Sequence, residues 1–410
     1  MAVLTGDRLG TATSRLGLLR LGARTSFVPA STTVPPGAQA VTWTFAVGPN
    51  TGLPNWALTQ AHSRRVTWRL TTPSDCTFDV DGESQDALQI AELVTDVWIY
   101  RNGVALFRGR VGTTSDNYDG NVLKTTVNVA DYKGVLARRL LLEGDTLAYT
   151  TATDQAAIAL GLINSTQRHA GGQMGIVTGV GASTGVTRVR TFQAGQNVGE
   201  ELDKLSNVIN GFEWDISPTK TTALHLDIYS PTRGATTSAV LDVGGRVRSF
   251  QRQYDPGLYA NAVRVTGANT TGGAAPGLTA VNRASSNIGA AAQGRWDSQV
   301  GDTNIVEQVT LNERAGAELA ESSTVLPQWT VELQPNSWDG PGDVWLGDTV
   351  TLIGKIGRLN DVGPLRVQEV SCAFDDDDTV TTTITLGQVP LSRRFRLRTF
   401  SQRLSALERR

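Results

Sequence analysis

Catalysis or metal binding in this 410-residue chain would have to draw on three histidines, two cysteines and a scatter of 39 acidic residues. His62, His169 and His225 are too far apart to form a local metal or acid–base group, so only folding could bring them to one zinc ion. His225, between Leu224 and Leu226 in an alternating segment, reads as an outward-facing strand residue. Cys76 and Cys372 lack zinc-knuckle or redox spacing, which leaves two buried thiols or a pair joined by the fold. Asp375–Asp378 has no EF-hand spacing and reads as a solvated hairpin loop, with a divalent-ion site as the alternative. Carboxylate pairs such as Asp79/Asp81 and Glu307/Glu313 have the residue types of a glycosidase acid and base, but the decisive separation is a property of the fold. The Gly-rich segment GIVTGVGASTG lacks the Lys-Ser/Thr end of a phosphate loop and reads as a flexible loop; neither a GxSxG nucleophile elbow nor an HExxH motif is expected in the chain. The expectation is a non-enzymatic protein without cofactor or metal.

Nine tryptophans would suit a carbohydrate platform if several were exposed. Trp68, Trp98, Trp214, Trp329 and Trp345 fall in strand-like segments and are expected in cores, leaving Trp43, Trp56, Trp296 and Trp338 as surface candidates. A formal charge of −2, 40% hydrophobic and 19% charged residues describe an ordinary folded chain, long enough for two to four domains. The start has neither a sustained apolar run nor the pattern of a secretory signal.

The elements that must position these residues are mainly strands. Residues 1–40 contain the Leu-rich basic stretch LGTATSRLGLLRLGAR followed by Pro29, Pro35 and Pro36, read either as an arm ordering on a neighbouring chain or as a frayed terminus. Residues 41–145 show short alternating segments, among them the hairpin VWIYRNGVALFRGRV. Its Asn102-Gly103 pair has type I′ turn chemistry, placing Trp98 opposite Phe107 and Tyr100 opposite Ala105. Residues 146–245 read as a helix-and-sheet insert. One helix lies over 151–164, starting near Thr153; a second, from Gly199, puts Leu202, Leu205 and Ile209 on one face and pairs Glu200 with Lys204. The Gly/Thr-rich stretch between them reads as a surface loop, and FEWDI and LHLDIYSP read as strands. Residues 246–390 contain a Gly-rich insertion and the strand candidates QWTVEL, VWLGDTVTLIG, LRVQEVSCAF and TVTTTITLG. LVTDVWI and LGDTVTL echo one another, each with Asp at a strand entrance. In 391–410, seven Arg surround Leu397, Phe400, Leu404 and Leu407 at helical spacing, which reads as a basic docking helix; membrane attachment is the competing reading.

Taken in order, VWIYRNGVALFRGRV, VNVADYKGVLARRLL, VGEELDKLSNVINGFEWDI and SFQRQYDPGLYANAVRVTG resemble the tail hub, or baseplate hub, minor tail proteins of long-tailed bacteriophages. The resemblance spans roughly 41–390, and the Ala/Arg/Gly-rich style suggests a siphovirus of a high-GC actinobacterium. It implies two small tube-type β-barrel domains, 41–145 and 246–390, joined by the α+β insert, and a homotrimer at the distal tail end of the virion, assembled in the host cytoplasm. It also implies the partners: a hexameric distal tail protein, the C-terminal part of the tape-measure protein, downstream tip or fibre proteins, and DNA in passage at ejection, with no stable membrane association. Tyr132, Arg138 and Arg139, with Tyr259, Ala260 and Asn261, carry the resemblance. Architectural roles follow for them: Asn261 satisfying backbone groups at a strand entrance, and Arg138 or Arg139 bridging a domain seam unless solvent-exposed. A carbohydrate-binding tail-tip module is the alternative function.

Overall fold

The computed structural model describes residues 41–387 apart from 146, 208–209, 255–258, 267–280, 287, 289–293, 302–307 and 324–326. The N-terminal arm and the docking-helix residues Leu397, Phe400, Leu404 and Leu407 lie outside the described residues. The chain divides into two compact units, Met1–Phe250 with Val331–Ile384, and Gln251–Thr330 with Thr385–Arg410.

In the first unit, seven strands precede the insert: β1 (Trp43–Pro49), β2 (Trp56–Ala57), β3 (His62–Arg69), β4 (Asp75–Asp81), β5 (Thr95–Arg101), β6 (Val104–Tyr118) and β7 (Leu123–Asp131). They pair in the order β3-β4-β7-β6-β5-β1-β2. Period-two burial sets the register: Cys76, Phe78 and Val80 of β4 all face inward. A short helix, α1 (Tyr132–Leu136), follows β7 and is capped by Asp131, whose carboxylate accepts the Gly134 amide at 3.0 Å.

The insert holds β8 (Leu147–Asp154), α2 (Gln155–Gln167), β9 (Ile176–Thr178), β10 (Thr187–Phe192), α3 (Val198–Ser206), β11 (Glu213–Pro218) and β12 (Leu224–Tyr229). The first helix starts later than its composition suggests. Residues 147–154, rich in Thr, pair with β10, and Asp154 rather than Thr153 caps α2 by accepting the Ala156 amide. The Gly/Thr-rich stretch is not merely a loop, since it supplies β9, parallel to β12, and β10. Leu202 and Leu205 are buried as their spacing requires, while Ile209 lies outside the described residues. Lys204 pairs with Glu201 at 2.6 Å and not with Glu200, whose amide meets the Asn197 cap. Trp214, Ile216, Leu224, Leu226 and Ile228 close this core against both helices.

After β12 run β13 (Thr236–Asp242), at the end of the 146–245 region, then β14 (Val247–Gln253), β15 (Ala262–Thr266), β16 (Val281–Ala284), β17 (Asp297–Gly301), α4 (Gln308–Ser322), β18 (Gln328–Leu333), β19 (Thr349–Ile356), β20 (Leu359–Phe374) and β21 (Val380–Leu386). The two β regions expected as separate barrels share one ladder. β20 pairs with β19 through Leu359–Arg366 and with β3 through Glu369–Phe374, and β13 lies parallel on β19. β20 is long enough to serve both partners, which covers the β3 edge that a separate first barrel would leave with unpaired backbone groups. VWLGDTVTLIG is half strand: its first residues form a turn around Asp348, whose carboxylate accepts the Trp345 amide at 2.9 Å.

The second unit contains the sheet β16-β15-β17, with β17 parallel to β15, and α4 laid on it. Leu311 and Ala315 of α4 pack with Ala260, Val263 and Val265. The sequence reading did not anticipate this helix.

Candidate functional site

The hairpin β5–β6 begins as its Asn-Gly turn dictates, with positive φ at Asn102 (49°) and Gly103 (72°), and Tyr100 opposite Ala105. A bulge then intervenes. Ile99 pairs with Phe107, so Leu106 is the extra residue and Trp98 lies opposite Arg108, not Phe107. One added residue reverses the facing of everything beyond it. Arg108 and Arg110, which an unbulged hairpin would turn away from Asp96, arrive on its side of the sheet.

Asp96 is fully buried and accepts three bonds: from Arg108 Nε (2.9 Å), Arg110 Nε (3.0 Å) and the Tyr132 hydroxyl (2.6 Å). Arg110 Nη2 also donates to Tyr132 Oη at 2.8 Å. The Arg108 guanidinium lies 4.7 Å from the Trp98 ring centre and donates outward to the carbonyls of Thr222 (2.7 Å) and Asn50 (2.8 Å). Burial, then the charge of Asp96, push the Tyr132 phenol well above its ordinary range, so it acts as a fixed donor. The group joins β5, β6, α1, the loop after β1 and the β11–β12 turn.

A second network joins the insert to the sheet. Burial alone would raise Asp215, but Lys133 Nζ at 3.4 Å and Arg233 Nη1 at 2.5 Å hold its carboxyl below the usual range. Arg366 of β20 grips Glu213 of β11 with two bonds, 2.8 and 2.6 Å, and donates to the Arg233 carbonyl at 2.8 Å. Asp131 accepts the Ser74 amide at 2.7 Å, and burial pushes its carboxyl up to about 6 against the pull of Lys133. A cavity of about 180 Å³ lies among Trp68, Arg108, Asp131, Asp215, Arg233 and Trp345. Each charged group on its wall is already committed to a neighbour, so the cavity reads as the lining of a structural seam.

The tryptophans mostly turn inward. Trp338, a surface candidate by sequence, is buried; it stacks on Trp43 and Trp345 and lies 5.9 Å from Trp68. It is held there because its Nε1 donates to the Val344 carbonyl at 3.0 Å and Arg101 covers its ring. Trp56 and Trp296, one in each compact unit, are exposed.

Of the residues singled out by sequence, Tyr132 belongs to the Asp96 group. Arg138 is exposed and Arg139 half-buried just after α1, where the Arg139 carbonyl accepts the Val198 amide at 2.9 Å. Tyr259 is half-buried with its ring edge-on to Trp296. Asn261 is buried at the entrance of β15; it donates to the Gly294 carbonyl at 2.7 Å and accepts the Trp296 amide at 2.8 Å. Sequence reasoning marked Asp96 only as a strand-entrance echo and passed over Arg108, Arg110, Glu213, Asp215, Arg233 and Arg366. Charges at alternate positions inside an apolar strand, as in FRGRV and FEWDI, were the available signal. The two echoed aspartates do different work: Asp96 binds arginines, and Asp348 accepts the backbone amides of Ala235 and Trp345.

Gly181-Ala182-Ser183-Thr184-Gly185 has the nucleophile-elbow spacing that the sequence reading took to be absent, but the segment lies in an exposed turn before β10, with no helix following. Ser183 Oγ donates to Asp154, whose carboxylate also accepts the amides of Ala156, Thr184 and Gly185, so this serine completes a helix cap. Asp375–Asp378 forms the exposed turn between β20 and β21, with Asp376 on His62 and Asp378 on Arg64. Among the described residues no group of three or more His, Cys, Asp or Glu could hold a metal ion, and no helix is long and apolar enough to cross a membrane.

Cys76 and Cys372 are both buried and both pair with Val66, from opposite sides of β3. Two strand spacings, about 9.6 Å, separate their backbones, beyond disulfide reach. Burial pushes the Cys372 thiol up to about 12 and Cys76 higher still. Under non-reducing conditions a thiol reagent at pH 8 should label neither cysteine in the folded chain and both in urea; rapid native labelling would contradict this packing.

No protein-family model and no curated protein sequence matches the chain. Solved structures do. A tail protein from Neisseria meningitidis aligns with 86% of this chain and 98% of its own, with TM-score 0.60 and 10% identity. A 43 kDa prophage tail protein from Shewanella oneidensis aligns with 85% of this chain and 98% of its own (TM-score 0.61, 11% identity). A prophage tail protein from Listeria monocytogenes gives 87% and 98% (TM-score 0.54, 14% identity). The chain is similar in fold to these tail proteins over nearly their whole length.

Proposed function

We propose that this chain is a structural hub protein of a phage tail, three copies of which close the distal end of the tail tube. The observation that carries this reading is the fold shared with three tail proteins across more than four-fifths of this chain and 98% of each of theirs. The internal construction supports it, since ionisable groups, rings and cavity walls are spent on rigidity between elements. The role is structural and not enzymatic.

In this reading, residues 41–145 and 246–390 each supply one tube-type β module, so three chains present six modules to a sixfold distal tail ring, with 146–245 at the periphery. Closed rotational symmetry buries identical interfaces without leaving a growing end. Above lie the distal tail protein and the end of the tape-measure protein, below lie tip or fibre proteins, and DNA passes through a lumen free of strongly basic rings. Arg138 and Tyr259 are proposed interface residues, and 391–410 a docking segment for the next tip component. The inward packing of Trp43, Trp68, Trp338 and Trp345 disfavours a glycan platform.

Light scattering of the purified protein across concentration and salt tests this. A stable species at three times the chain mass of 43.7 kDa is expected. A persistent monomer that also fails to co-assemble with a distal tail ring would overturn the hub.

A further inference from the structure

Two loops of the first unit build an apolar surface that the internal packing does not use. Leu53, Leu88, Leu93 and Val94 are each more than half exposed, and Trp56 is exposed beside them. The loops are laced together: the Asn50 amide donates to the Val94 carbonyl at 3.2 Å, and Trp56 Nε1 donates to Asp86 at 2.7 Å. Asp86, itself buried, also accepts the amides of Thr59 and Gln60 at 2.8 Å each. The polar edge of Trp56 is thus fixed inward and its ring shown outward. Leu93 is the sharper observation. It has φ 63°, a left-handed conformation costly for a bulky residue, pinned because its amide donates to the Val111 carbonyl at 2.9 Å. Glycine would suit this backbone better, yet the chain places a leucine there and displays it to solvent.

We infer that this surface receives the N-terminal segment Leu9–Arg24 of a second copy of the chain, an inference that rests on the hub reading. The segment carries five leucines and three arginines without an acidic residue, and the surface is flanked by exposed Glu83 and Glu92. Reach allows the neighbour, and the cross-link below decides between it and the same chain. The surface adjoins the far end of β1, about 23 Å from Val41 at ~3.3 Å per residue. The intervening Thr25–Ala40 contains Pro29, Pro35 and Pro36, a composition that favours extended spacers; sixteen residues at ~3.1 Å each span about 50 Å. A spacer of that length is long enough to pass its own surface and reach that of an adjacent copy. The contact would tie neighbouring copies by burying apolar side chains that are otherwise open to water.

Because both native thiols are buried, introduced cysteines report selectively. Gly17→Cys in one chain and Gln89→Cys in another, mixed and oxidised, should give a disulfide-linked pair at least tenfold in excess of Gly17→Cys mixed with Val362→Cys. Adding Leu93→Gly to the Gln89→Cys chain should cut that yield about tenfold while leaving stability unchanged or higher, since it removes the displayed side chain and its backbone strain. An intrachain link in a chain carrying both Gly17→Cys and Gln89→Cys, equal yield with the Val362→Cys control, or no loss with Leu93→Gly would each overturn the proposal. Light scattering on the chain without residues 1–40 separates the two readings: a trimer there upholds the hub whatever the cross-link shows, whereas a full chain that neither trimerises nor co-assembles with a distal tail ring defeats the hub first.

Discussion

Replacing Asp96 by Asn should destabilise the first compact unit by about 3–5 kcal/mol, the range for breaking a buried ion pair from one side. The substitution is nearly isosteric, so the loss is one of charge and acceptors, with no cavity. Arg108, whose side chain is 2% exposed, would keep its carbonyl partners at Asn50 and Thr222 but lose its only counter-charge in the group, while Arg110 at 16% could recover some hydration. Asn keeps one acceptor oxygen but turns an NH2 toward a donor that the second Asp96 oxygen now satisfies. The cost therefore falls on leaving an arginine buried without a counter-ion. Combining Asp96→Asn with Arg108→Met should recover part of it, because both charges are then gone, and the recovery measures their coupling. Urea unfolding followed by tryptophan fluorescence reads both effects. A loss below about 1 kcal/mol for Asp96→Asn would mean that the pair is hydrated in solution and does not hold the seam.

How much of this was open to sequence reasoning depended on how local the determining interaction is. The Asn102-Gly103 turn, the alternation of Phe212, Trp214 and Ile216, and the face of α3 follow from turn chemistry and periodicity within a few residues, and the fold places them accordingly. The bulge at Leu106 is also local but has no compositional mark, and missing it misassigned the partner of Trp98 and concealed the Asp96 group. Trp338 was misjudged because its burial depends on Trp43 and Trp68, some 270 to 300 residues earlier in the chain. The shared ladder was concealed for a similar reason: β3–β20 pairing joins residues 300 apart, and two alternating strands say nothing about which edge each will find. The division of labour between Cys76 and Cys372 likewise depends on β3 lying between them.

The joint between the insert and the sheet supplies the second large effect, through two glycines. Gly234 has φ 87°, and a Cβ placed there would lie 2.2 Å from the carbonyl carbon of Gly347 and 2.5 Å from the amide nitrogen of Asp348. Gly347, at φ 86°, meets the Arg233 carbonyl in the same way, at 2.6 Å. Both contacts are to backbone, so neither can be relieved by rotating a side chain. Gly234→Ala must push residues 233–235 away from 347–348, and four interactions depend on that approach. The Ala235 amide donates to Asp348 at 3.0 Å, the Thr349 amide to the Ala235 carbonyl at 2.9 Å, and Arg366 to both the Gly347 and Arg233 carbonyls. Backbone strain of about 1–3 kcal/mol and overpacking of similar size should sum to roughly 3–5 kcal/mol. Gly185→Ala is the matched control: its φ is 72°, but nothing lies within 4 Å of the added carbon, so only the backbone strain applies. The clash is the difference between the two variants in urea unfolding, expected at about 2 kcal/mol or more. Hydrogen exchange should show the added loss of protection at β13 and β19, whose parallel pairing starts at Thr236 and Thr349 beside the glycine contact. Equal losses in the two variants would show that the insert approaches the sheet more loosely than the Gly234–Gly347 contact requires, and that the ion pairs of Glu213, Arg233 and Arg366 alone hold the joint.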